Sequence, residues 1–344
     1  MSSIMTNASA MTALQSLNTT NKALQTTQGR ISTGFRVAEA SDNAAYWSIA
    51  TTMRSDNKVN SVVQDALGLG SGKVDTAYTA MNQALDVVDK IKQKVLLAKT
   101  AGPEDRAKIQ SEIDTYVNQL KDSINGANYA GSNLLKTDSS KDTFDPGDPT
   151  ATPPVPATPE SNKLNIISSY GRDGSGNVWT GTIDITFSNI RLIDTVTPDA
   201  SATPPVVSSG ILDKAGYASN ISILNFKVTD LTGVTARDAT GTVITSPTES
   251  QRFDALLTDV EATLAKMADA ASELGAAKSR IDMQKDFVSK LMDSVDRGVG
   301  QLVDADMNKE STRLQALQVQ QQLGIQALSI ANSNSQSILA LFKG

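Results

Sequence analysis

Residues 305–344 read ADMNKESTRLQALQVQQQLGIQALSIANSNSQSILALFKG. The run contains no Pro, and Gly324 is its one interior Gly, so it reads as a single long helix. Apolar residues recur at alternating steps of four and three through Leu314, Leu317, Gly324, Leu328, Ala331, Ile338 and Phe342. Polar Gln321 and Ser335 interrupt that seam, as register-setting positions do in coiled coils. A second stripe lies beside it, through Ala316, Val319, Leu323, Ala327, Ile330 and Leu341. A helix packed on one neighbour needs only one such stripe. Ordering a helix of this length costs more backbone entropy than burial of a single stripe returns. The helix is therefore expected to cover its second stripe with other copies of the chain and to become rigid on assembly. Contacts between two different surfaces of identical subunits generate open helical filaments unless the rotation closes.

Working upstream, the register slips at Asp304-Ala305-Asp306. Before it runs an unbroken helical pattern from Phe253 through Val260, Met267, Leu274, Ile281 and Val288 to Leu302, opened by Ser246-Pro247. The N-terminal half repeats the theme. A first helix carries Ala10, Leu14, Leu17, Asn21, Leu24, Gln28, Ile31 and Phe35 at the same spacing. A longer one runs from Ile49 to Val95, and after the breaker Ala101-Gly102-Pro103 a shorter one shows Ile109, Ile113, Tyr116 and Leu120. The fold class expected is mainly α: a long antiparallel helical bundle or coiled coil formed by the N- and C-terminal halves, with a small inserted β-rich domain. Any one of these helices alone is equally well read as an ordinary bundle element.

The insert occupies roughly residues 137–247. FDPGDPTATPPVPATPES and DTVTPDASATPPVVSS are Pro/Thr/Ser-rich and read as extended linkers or surface loops. Around them, Ile183, Ile185 and Phe187 alternate with polar residues, as do Leu224, Phe226 and Val228, which predicts strands. GRDGSGNV, between Tyr170 and Trp179, lacks the Lys and the spacing of a phosphate loop and reads as a hairpin turn.

Composition narrows the function. The chain of 344 residues has no Cys and no His, which removes thiol nucleophiles, disulfides, imidazole bases and the usual zinc and haem ligands. No catalytic residue, cofactor or metal site is expected. The net charge of −6 argues against a nucleic-acid surface. Aromatic residues at 4% are too few to fill a large globular core, whereas the abundant small residues suit contacts between long helices. The N-terminal MSSIMTNASAMTALQSL has neither a basic region nor an unbroken apolar run, so no Sec-type signal is expected. No segment is apolar enough to predict membrane insertion.

RISTGFRVAEASDNAA (Arg30–Ala45) resembles the N-terminal motif of bacterial flagellins. The C-terminal helix, with Leu314, Gln318, Gln322, Ala331, Asn332 and Leu339, is similar to the flagellin C-terminal helix. The resemblance covers about 1–137 and 249–344, and Tyr46-Trp47 departs from it, since many flagellins carry a small residue there. It implies a subunit of the flagellar filament, secreted and extracellular, the propeller of swimming. It divides the chain into an inner-core helix at 1–40, outer-core helices at 41–136, a β-rich surface domain at 137–247, a long outer-core helix at 248–303 and an inner-core helix at 304–344. Inner-core assembly then falls to Leu14, Leu17, Leu24, Ile31, Leu314, Leu317, Leu328, Ile338 and Phe342. Gly34, Arg36 and Asp42 belong to the connector: Gly34 can take the left-handed conformation that ends a helix, and Asp42 is placed to cap the next. A plain interhelical loop explains the same residues.

The partners implied are further copies in a helical homopolymer, the filament cap, the hook–filament junction proteins, an export chaperone and the flagellar type III export apparatus. Flagellins are also read by a flagellin-sensing Toll-like receptor, at an Arg and a Leu one turn apart and a Glu on the next helix. Lys90, Lys94 and Glu112 stand at those positions here. Lys lacks the planar fork of Arg and puts a charge where an apolar contact is expected, so weak receptor activation is predicted. Merely exposed or filament-buried lysines account for the residues equally well.

A hook–filament junction protein shares similar terminal helices and is the nearest alternative. A type III translocator should show a membrane-inserting apolar hairpin, and none is present. A metallopeptidase insert would need the His that this chain lacks. The sequons at Asn7, Asn18 and Asn220 carry little weight without a secretory signal.

Overall fold

The computed structural model describes residues 7–139, 163–173, 175–196, 209–237 and 241–341, with side chains as far as residue 333 in the last helix. In chain order the elements are helices α1 (Ala8–Thr33), α2 (Ala44–Thr100) and α3 (Pro103–Gly126), strands β1 (Lys136–Thr137), β2 (Lys163–Arg172) and β3 (Val178–Thr186), a short helix α4 (Phe187–Ile190), strand β4 (Ile193–Asp194), and helices α5 (Glu249–Val303) and α6 (Met307–Leu341). Contacts group them into two compact units. One comprises Met1–Val59 with Lys290–Gly344, the other Asn60–Ser289.

In the 60–289 unit, α2, α3 and α5 bury continuous apolar seams. On α2, Leu67, Val74, Met81, Val88, Ile91 and Val95 are fully enclosed, where the 4-3 spacing places them. Ion pairs Asp75–Lys278, Lys92–Glu261 and Lys99–Asp254 advance along α2 as they recede along α5, so these helices run antiparallel. Pro103 opens α3 at a position where a missing N–H costs nothing. Arg106 then ties α3 to both neighbours: its Nε donates to the Ala98 carbonyl at 2.9 Å, and its guanidinium lies 5.0 Å over the Phe253 ring. On α3, Val117 occupies the core position, and Tyr116, which the spacing predicts there, is half-buried. α5 starts with a reciprocal capping box: the Thr248 amide donates to Gln251 Oε1 at 2.8 Å, and the Gln251 amide donates to Thr248 Oγ1 at 3.3 Å.

Among the described residues, the insert contains less strand than the alternation predicts. β2 and β3 form an antiparallel hairpin with Ile166 opposite Ile183, and Ile166, Ile183 and Ile185 face inward. At the tip, Asp173 Oδ1 accepts the amides of Ser175 and Asn177 at 2.9 and 2.7 Å, an Asx-type turn and not a phosphate loop. The hairpin side chain Ile166 approaches α2 where Gly70 has no Cβ; an added one would lie 2.7 Å from Ile166 Cδ1. Phe187 does not continue the strand but opens α4. The predicted strand through Leu224, Phe226 and Val228 does not form either. Phe226 and Val228 are buried and Leu224 is half-buried, but the Val228 amide donates to the Gln110 side chain of α3 at 2.7 Å. A polar helix side chain there takes the role of a ladder neighbour.

The base of the insert holds a polar network. β1 and β4 pair in parallel. Arg191, fully buried, donates to Thr137 Oγ1 and to Ser209 Oγ, both at 2.6 Å. Burial alone would push the Asp194 carboxyl up. The hydrogen bonds it accepts from Ser139, Ser209 and Val196 outweigh that and hold it down at about 2. Burial raises the neighbouring Asp213, whose Oδ2 accepts the Asp194 amide at 2.7 Å.

A candidate assembly surface on the terminal helices

α1 and α6 pair antiparallel, and their ends are set by local chemistry. Asn7 caps α1 by accepting the Ala10 amide at 3.0 Å. Gly34 closes it at φ 74°, its N–H bonding the Arg30 carbonyl at 2.9 Å, in the left-handed conformation that Gly takes without steric cost. α6 opens on Asp306, whose Oδ1 accepts the amides of Asn308 and Lys309 at 3.0 and 3.2 Å. The Lys309 amide is the chief cause of the lowered pKa of Asp306.

Between these ends the helices meet along one seam. On α6, Glu310 and Leu317 are buried while Leu314, Gln321, Gly324 and Leu328 are half-buried. On α1, Leu17, Leu24 and Ile31 face the same way, with Thr27 fully enclosed. Leu14 departs from the expected seam. The pairing uses Ala13 and Thr27 where the periodicity places Leu14 and Gln28, and Leu14 stays 48% exposed. Polar contacts among the described residues space the pair: Asn7 Nδ2 donates to the Ala331 carbonyl at 2.9 Å, Gln321 Nε2 to Asn21 Oδ1 at 2.8 Å, and Arg30 Nη1 to Glu310 Oε1 at 3.3 Å. Gly324 lets Leu17 sit close, since a Cβ there would be 3.2 Å from Leu17 Cδ1. The side chain of Ile338, and Phe342, lie outside the described residues.

As far as Ile330 the second stripe of α6 is open, and the Leu341 side chain lies outside the described residues. Leu323 is 58% and Ile330 65% exposed, and Val319 and Ile325 are exposed beside them. α1 contributes Met11 and Leu14 to the apolar surface left uncovered.

The connectors at residues 34–43 and 304–306 brace each other. The Arg36 and Val37 amides both donate to the Val303 carbonyl, at 2.7 and 3.2 Å, and the Ala305 amide donates to the Gly34 carbonyl at 2.9 Å. The Arg36 guanidinium adds a bond to the Leu302 carbonyl at 2.9 Å. Val37, Ala50, Val299 and Val303 form a small core beneath, and Arg54 stacks 4.6 Å over the Phe35 ring. Asp42 does not cap α2. Its Oδ2 accepts the Ala38 and Glu39 amides at 3.0 and 3.2 Å and so folds the connector, while Asn43 caps α2 by accepting the Tyr46 amide at 3.1 Å. Both side chains are short acceptors, and periodicity alone could not say which one fell at the helix boundary.

In the other unit, Lys94 and Glu112 form an ion pair between α2 and α3, and hydrogen bonding to Glu112 raises the Lys94 pKa. Lys90 is exposed. Among the described residues no cluster of carboxylates is placed to hold a metal ion, and no helix is long and apolar enough to cross a membrane.

Residues 4–140 match the bacterial flagellin N-terminal helical region, and residues 257–342 match the bacterial flagellin C-terminal helical region. A flagellin of Brucella melitensis biotype 1 is 47% identical over 344 residues, with the whole of both chains covered. Flagellin C of Rhizobium meliloti is 42% identical over 345 residues, again with both chains covered in full. The crystal structure of Bacillus cereus flagellin aligns with 66% of this chain and 88% of its own at 15% identity and a TM-score of 0.34, a superposition too loose to bear on either unit. These matches do not favour the hook–filament junction reading. With both helical regions recognised, and full-length relatives at this identity, the chain belongs to the bacterial flagellins, a family of structural proteins that form the extracellular flagellar filament.

Proposed function

We propose that this flagellin builds a helical homopolymer through α1 and α6, and that the filament so formed drives swimming. The open stripe of α6 carries the proposal. Leu323 and Ile330 are more than half exposed although the helix already has a partner in α1. Contiguous exposed apolar surface of this kind marks an interaction site. The seam residues Leu17, Leu24, Ile31, Leu314, Leu317 and Leu328 would hold each α1–α6 pair together. The stripe through Val319, Leu323 and Ile330, with Leu14 on α1, would meet neighbouring copies. Ile338 and Phe342 are assigned to the same inner core. Gly34, Arg36 and Asp42 would hold the connector at the angle that assembly needs.

The free monomer is expected to fray at both terminal helices until a neighbour covers the second stripe. The filament cap, the junction proteins, the export chaperone and the type III apparatus would engage the same apolar ends. Removing residues 314–344 should leave a soluble monomer that no longer polymerises. Normal filaments of the truncated protein under the electron microscope would refute the proposal.

Weak activation of the flagellin-sensing receptor follows from Lys90 and Lys94. The ion pair with Lys94 also occupies the Glu112 carboxylate. A reporter-cell response equal to that of a strongly stimulatory flagellin would contradict this.

A further inference from the structure

Two Pro/Thr-rich stretches, 140–162 and 197–208, interrupt the insert, and three of the four residues at their edges meet on one side chain. Asp194 Oδ1 accepts the amide of Ser139 at 3.0 Å, just before the first stretch. The same oxygen accepts the amide of Val196 at 3.0 Å, just before the second. Its Oδ2 accepts both the amide and the hydroxyl of Ser209, at 2.9 and 3.0 Å, just after the second. The fourth edge, Lys163, is held separately, in register with Thr186 at the open end of the hairpin. Fully buried Arg191 reinforces the arrangement by gripping Thr137 Oγ1 and Ser209 Oγ, residues on both sides of the same carboxylate.

We propose that Asp194, seated by Arg191 and Ser209, is a shared clamp that couples Ser139, Val196 and Ser209, so that these three edges open together and not one at a time. An ionised carboxylate accepting several N–H and O–H bonds in a buried place is among the strongest polar attachments available. Three of the four edges depend on this one group. Opening it therefore frees Ser139, Val196 and Ser209 at once, while the β2–β3 hairpin keeps its own ladder. β1 and β4 contribute only four residues, too short a ladder to hold these edges alone.

The test is hydrogen exchange by mass spectrometry on full-length monomer, comparing the unmodified protein with Asp194→Asn and Ser209→Ala. The amides of Ser139, Val196 and Ser209 should be protected in the unmodified protein. In Asp194→Asn all three should exchange faster together, by about tenfold or more, as expected for loss of a charge-assisted hydrogen bond. The β2–β3 hairpin should keep its protection. Ser209→Ala touches a single edge directly, yet it should also speed exchange at Ser139. Acceleration confined to Ser209 in that variant would mean independent loop ends and overturn the shared clamp. Equal acceleration of the hairpin in Asp194→Asn would make Asp194 a general core residue and overturn it as well.

Discussion

The α1–α6 pair and the α2–α5 pair grow from the same 4-3 repetition of apolar residues, yet they end in different states of burial. Along α2, Val74, Met81, Val88 and Ile91 have no accessible surface. Among the described side chains of α6 the best-covered apolar one is Leu317, and Leu323 and Ile330 stand open. The difference lies in the neighbours. α2 and α5 share a third helix, α3, and carry the docked insert, so their apolar faces are covered from several directions. α1 offers α6 a single flank, which is half of what the sequence of α6 asks for. A helix with more apolar surface than its own chain covers is completed by another chain, or it stays wet.

The largest expected effect tests that difference directly. Leu323→Asp combined with Ile330→Asp should abolish sedimentable polymer while circular dichroism of the monomer stays unchanged, because both side chains already face water. Unimpaired polymerisation would return α6 to the status of an ordinary surface helix. Next, Met81→Ala should cost about 2–5 kcal/mol in denaturant unfolding, the usual range for emptying a closed core. Leu328→Ala in the half-covered seam should cost about 1 kcal/mol, since less area leaves water in the first place. Equal costs would erase the contrast between the two regions.

Acid should loosen the insert. The Asp194 carboxyl is held down at about 2, so the stability it contributes is fully present above the ordinary carboxylate range of about 4. That contribution fades as pH falls from about 4 through about 2. Asp213 is shifted the other way, so its protonation offsets part of the loss. Asp194→Asn should flatten the acid dependence of insert stability in that window, measured by hydrogen exchange at the Ser139, Val196 and Ser209 amides. The smallest effect belongs to Gly324→Ala. Ala gains up to about 1 kcal/mol of helix propensity, and the 3.2 Å approach to Leu17 Cδ1 consumes most of it. Unfolding should shift by less than about 0.5 kcal/mol, against the larger loss at Met81.

Much of this architecture is legible in one dimension. The break at Asp304-Ala305-Asp306, the end of α1 at Gly34 and the Pro103 start of α3 are local events. Backbone conformation and capping decide them within a few residues. The long α2 seam is also periodic enough to place Leu67 through Val95 correctly. Alternation in the insert is less decisive. Ile183 and Ile185 found a strand partner, whereas Val228 found Gln110 instead. A two-residue period tells which side chains turn inward, not what the backbone between them bonds to.

By itself, then, the sequence determined the helical halves, their breaks, the turn at Asp173, and an α6 with more apolar surface than one partner needs. Each of these follows from backbone propensity or from periodicity, which act over a few residues at a time. Tertiary structure alone decided that Thr27 and not Gln28 enters the α1 seam, and that Glu112 takes Lys94. It also brought Ser139, Val196 and Ser209 to one carboxylate. Those outcomes depend on which distant group arrives within hydrogen-bonding or packing reach, and no local spacing encodes that distance.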